Sequence, residues 1–101
     1  MITSKELRSI DRVYFDVIEV TPFYLVLRSK NTGHFWHLLE QDYRCFRSFK
    51  VFHKHHETDS YHPQTCKGSI GACCLYIKGH DAFHLKRTRW KKNRRRAKVK
   101  H

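Results

Sequence analysis

No apolar run in this chain reaches the ~18 residues of a membrane-spanning helix, so no membrane span is expected. The first twelve residues, MITSKELRSIDR, lack the apolar stretch of a secretory signal. The expected location is therefore cytoplasmic, with a nuclear or nucleoid-associated site as the alternative. Glycine is scarce, with four residues placed singly, which excludes a glycine-rich phosphate loop. Cysteine is limited to Cys45, Cys66, Cys73 and Cys74. In a reducing compartment these are expected as free thiols, and the adjacent Cys73 and Cys74 are poorly placed to bridge. No Cys-x₂-Cys pair and no helix-borne His-Glu-x-x-His is present, so the spacing matches no standard zinc finger or zinc protease. Closely spaced acidic residues of the kind a two-metal nuclease needs are also missing. No internal repeat is visible.

What is present is positive charge, unevenly placed. The 101 residues carry a formal net charge of +12. Ten of the 21 basic residues fall in the C-terminal stretch: Lys86, Arg87, Arg89, Lys91, Lys92, Arg94, Arg95, Arg96, Lys98 and Lys100. The first 85 residues hold the other 11 basic residues against all 9 acidic ones, a net of +2. The chain therefore divides into a nearly neutral body, residues 1–85, and a basic arm, residues 86–101, expected to be flexible because like charges repel. Such an arm attracts polyanions.

The body has enough apolar residues (40%, with 14% aromatic) for one small core. Thr3 followed by Glu6 has capping-box spacing and predicts a short helix over Thr3–Asp11. Arg12–Val20, Phe23–Ser29 and His34–Glu40 are rich in β-branched and aromatic residues and predict strands. Thr21-Pro22 breaks the first pair, and the turn chemistry of Lys30–Gly33 joins the second into a hairpin. Tyr43–His55 is ambiguous: on a helical wheel Arg44, Arg47, Lys50 and Lys54 share one side, but its composition favours a strand over Phe49–His55. Were it helical, the order would be similar to a double-stranded-RNA-binding domain in topology. Glu40 and Asp42 stand where such domains place basic residues, so none of their binding residues is carried over.

His56–Gly68 reads as a polar loop. Ser69 is a suitable N-cap, and Ile70, Cys73, Cys74 and Ile77 share one helical face. A short helix over Ser69–Lys78, ended by Gly79, follows from that pattern. Asp81–Arg87 is expected as a last strand. The sum is an α+β domain: an antiparallel sheet of four to five strands with one or two short helices.

Three groups of residues invite a functional reading. The arm would bind phosphates of DNA or RNA through counterion release, with Trp90 stacking on an unpaired base and Arg44, Arg47, Lys50 and Lys54 adding secondary contacts. Its cluster would equally serve as a localisation address. The nine histidines form the second group. A set such as His53, His55, His62 and Cys66 would offer zinc nitrogen and sulfur ligands; with no standard spacing, packing histidines and no resident cofactor are the expectation. The third is a catalytic set, His53, His55 or His62 with Glu57, Asp59 or Asp81, or Cys66 with His62, and nothing in the spacing selects it.

The leading expectation is thus a non-catalytic nucleic-acid-associated protein. The alternatives are a small interaction module, an inhibitor or adaptor of phage or mobile-element type, docking on an acidic protein or nucleoprotein surface, and a His-rich zinc module or nuclease.

Overall fold

A computed structural model describes residues 1–43 and 46–99, and their side chains other than those of Tyr43 and residues 92–99. The elements run α1 (Ser4–Arg8), β1 (Phe15–Val20), β2 (Tyr24–Ser29), β3 (Phe35–Tyr43), β4 (Phe46–Lys54), β5 (His62–Lys67) and α2 (Ile70–Val99). The five strands form one antiparallel meander in chain order. The α+β class, the hairpin of β2 and β3, and the capping box of Thr3 with Glu6 are as the sequence predicts. Gly33 takes the left-handed conformation of the hairpin turn, with φ of 74°.

Alternation along the strands decides which face is buried. Leu25 and Leu27 of β2, Trp36 and Leu38 of β3, and Phe49 and Val51 of β4 point to one side and are fully buried. Ile70, Cys73 and Ile77 of α2 close over them. The Trp36 indole N–H donates to the Ser29 hydroxyl at 3.0 Å, so the largest core side chain leaves no polar atom unsatisfied. Burial lifts the thiols of Cys73 and Cys74 to about 12 and about 11, which keeps them protonated and unreactive.

Three sequence expectations are corrected. The strand preferred for Phe49–His55 is not among them: β4 covers Phe46–Lys54 and pairs along its length with β3. His56–Gly68 is not all loop, because His62–Lys67 forms β5. As an edge strand β5 tolerates Pro63, which lies beside the irregularity between Val51 and Phe52. Asp81–Arg87 is not a strand, and Gly79 does not stop the helix. Ser69 caps α2 as expected, its hydroxyl accepting the Ala72 N–H at 3.1 Å, but α2 then runs 30 residues to Val99. The face that begins Ile70, Cys73, Ile77 continues with His80, Asp81 and His84. Asp81 is fully buried and accepts the Tyr14 hydroxyl at 2.6 Å and the Thr32 hydroxyl at 3.1 Å. Polar docking of this kind carries the helix past the point where hydrophobic periodicity ends. No element boundary separates residue 85 from residue 86.

Candidate functional site

Where the apolar core meets the second half of that helix face, the core side chains become imidazoles. His53 follows Val51 on the buried face of β4 and is only 1% exposed. Its strand partners are Trp36 on one side and His62 on the other. His34, 5% exposed, precedes β3. His55 stands just beyond the end of β4, and His80 and His84 come down from α2. The ring centres of His34 lie 4.9 Å from His53, 4.1 Å from His55 and 4.6 Å from His84. Those of His53 lie 5.2 Å from His62 and 4.9 Å from His80. Six imidazoles thus converge from β3, β4, β5 and α2.

The cluster's electrostatics follow mainly from burial. Burial, with His55 and His84 adjacent, lowers His34 to about 4. Burial, with His34 and His80 adjacent, lowers His53 to about 3. His80 is lowered by burial as well, although Asp81 opposes the shift. At neutral pH these three rings are therefore uncharged, each with a nitrogen lone pair to offer. His53 Nε2 and His34 Nδ1 share a hydrogen bond of 3.0 Å. His53 Nδ1 and His80 Nδ1 are buried with no hydrogen-bond partner among the described residues. One ring nitrogen from each of His34, His53 and His55 lies within 4.8 Å of the other two. Beside them a pocket of about 240 Å³ is lined by His62, Gln64, Phe83, His84 and Arg87 as well as His53 and His55.

Of the four zinc candidates taken from the sequence, the fold brings His53, His55 and His62 together and separates Cys66. Four residues apart on an unbroken strand, His62 and Cys66 would share a face. The register shift opposite Val51 and Phe52 changes the parity. His62 pairs with His53 on the core face, whereas Cys66 pairs with Lys50 on the other. His34, His80 and His84 were not among those four candidates. The His80 and His84 spacing of i, i+4 was a usable signal, masked by reading Asp81–Arg87 as a strand. His37 lies on the opposite face, against the rings of Tyr24, Phe52 and Tyr61.

The basic candidates separate into three kinds. Lys86, Arg87, Arg89, Trp90 and Lys91 are exposed on α2. Lys92, Arg94, Arg95, Arg96 and Lys98 lie on its helical backbone; Lys100 and Arg44 lie outside the described residues. Arg47 is engaged inside the body, its guanidinium donating to Glu6, Glu40 and the Met1 carbonyl. Bonds to Glu6 and Glu40 raise its pKa, and Arg47 in turn lowers Glu6 to about 2. Lys50 covers the Phe52 ring, and Lys54 covers Phe35 and Tyr61 while donating to the Glu57 carbonyl. As strand residues, Arg47 is odd-numbered with Phe49 and Val51, and Lys50 and Lys54 are even. Arg47 and the two lysines therefore do not form the single basic side that a helical wheel implies.

Among the described residues no helix is long and apolar enough to cross a membrane. Set against known proteins, the chain matches no family model, no curated protein and no solved structure.

Proposed function

We propose that the chain is a nucleic-acid-associated protein that binds phosphate backbones of DNA or RNA through the second half of α2. The observation that carries this reading is the continuity of that helix. Its first half is rooted in the core by Ile70, Cys73, Ile77 and Asp81, and its second half presents Lys86, Arg87, Arg89 and Lys91 to solvent. A rooted helix presents its cations at fixed spacing and loses less conformational entropy on binding than a free tail. A duplex major groove is wide enough to admit a helix. Contacts of this kind position a protein without reading bases.

The test is binding of the full chain to duplex DNA, duplex RNA and single strands, each titrated with salt. About five phosphate contacts on duplex DNA would give a log–log salt slope near −4. Removing residues 86–101 should abolish binding; affinity unchanged by that removal would defeat the reading.

A second reading has its own support. Leu75, Phe83 and Trp90 are 73%, 67% and 59% exposed, and at spacings of eight and seven they share one outer side of α2. Apolar contacts flanked by cations suit an acidic protein surface. Capture of partners that survives nuclease treatment would favour this interaction role over direct nucleic-acid binding.

A further inference from the structure

We propose that His34, His53 and His55 form a binding site for a divalent transition-metal ion of the zinc class, a property separate from the charge of α2. Three observations point to a ligand rather than to packing alone. One nitrogen from each ring already lies within 4.8 Å of the others. A tetrahedral zinc ion with ~2.0–2.1 Å bonds to imidazole holds its ligand nitrogens ~3.3 Å apart. His34 Nδ1 and His53 Nε2, 3.0 Å apart across a hydrogen bond that the ion would replace, are close to that spacing. His55, stacked on His34 and exposed, has room to turn toward them. Second, three further imidazoles, those of His62, His80 and His84, pack against this trio, so the position is surrounded by nitrogen donors. Third, the cluster opens on a pocket of about 240 Å³, where a fourth ligand such as water has space.

The donor set chooses the class of ion. Calcium and magnesium need several oxygen ligands, and the buried carboxylate of Asp81 is already engaged by Tyr14 and Thr32. Soft cuprous copper favours thiolates; Cys66 faces away, and burial keeps Cys73 protonated. Uncharged imidazoles suit zinc and its divalent neighbours cobalt, nickel and copper. Three protein ligands with an open position is an arrangement zinc commonly takes.

Zinc and cobalt titrations of the full chain, followed by calorimetry and visible absorption, test the assignment. The expected result is one equivalent of zinc per chain and a rise in thermal midpoint that a chelator reverses. Cobalt in its place should give visible bands of a tetrahedral nitrogen site without thiolate charge transfer. Loss of an outer-shell partner alone commonly lowers metal affinity ~10–100-fold, so His55→Ala should lower it at least ~10-fold. His55→Gln, a gentler change at the same exposed position, should do likewise. Cys66→Ser should leave affinity unchanged. Absence of stoichiometric binding, affinity indifferent to both His55 variants, or a loss in Cys66→Ser equal to that in His55→Ala would each overturn the site.

Discussion

Tyr14, just ahead of β1, donates its hydroxyl to the carboxylate of Asp81 on α2 at 2.6 Å. The two are 67 residues apart in sequence, and the bond lies between the hydrophobic contacts of α2 and its basic half. Thr32 of the hairpin turn donates to the other carboxylate oxygen, and Asn31 donates to the Tyr14 hydroxyl. Two segments of the body, the approach to β1 and the β2–β3 turn, thereby hold α2 at Asp81. Burial and the Asp81 bond both raise the Tyr14 pKa, so the hydroxyl remains a donor throughout the physiological range. Tyr14→Phe leaves a buried carboxylate with one donor fewer, and a loss of about 1–3 kcal/mol is expected. Urea unfolding measures it, and an unchanged midpoint would show that the bond does not anchor the helix.

Gly79 lies exposed in the interior of α2, and an added Cβ would meet nothing within 4 Å. Gly79→Ala should therefore stabilise the fold by ~0.5–1 kcal/mol, the difference in helix propensity between the two residues. If the helix ended there in a left-handed cap, the same change would destabilise it. The sign of the change in thermal midpoint distinguishes the two.

Arg47 joins Glu6 of α1 to Glu40 of β3. Its bonds hold Glu6 at about 2 in the folded chain, below an ordinary 4.5. A carboxylate with a depressed folded pKa favours folding fully above its unfolded pKa. That contribution is lost as pH falls from about 4.5 toward about 2. Glu6→Gln should reduce stability at neutral pH and flatten the acid limb between those values. Unfolding midpoints measured across that range check it; parallel curves for the two proteins would refute it.

Arg47 and the exposed cations of α2 should respond differently to loss of charge. The Glu40 side chain is 3% exposed, and Arg47→Gln leaves it the Met1 ammonium without the guanidinium bonds. A destabilisation of about 2 kcal/mol is expected, with little change in the salt slope of nucleic-acid binding. Arg89→Gln combined with Lys91→Gln should leave stability nearly unchanged and make the slope shallower by ~2. Fluorescence anisotropy over a salt series, paired with thermal unfolding, separates the two effects.

The metal assignment rests on residues that sequence reading could reach only in part. His53, His55 and His62 are close in sequence and were legible as a group. Cys66 belonged with them only if β5 kept its alternation, and a bulge is not visible in composition. His34 joins through strand register, and His80 and His84, though spaced i, i+4, join only where α2 docks on the sheet.

Local chemistry alone determined the α+β class, the hairpin around Gly33, the Thr3 and Ser69 caps and the division of charge along the chain. Each depends on propensity, periodicity or counting, which neighbouring residues set without help. Tertiary structure decided that α2 continues through Gly79 and that His62–Lys67 adds an edge strand. It also decided that Arg47 is an internal brace and that six imidazoles cluster together. The reason is common to all four. A buried polar contact such as Tyr14 with Asp81, or a pairing such as Phe52 with Pro63, acts between residues far apart in the chain, and its partner must be in place before either residue's role can be read.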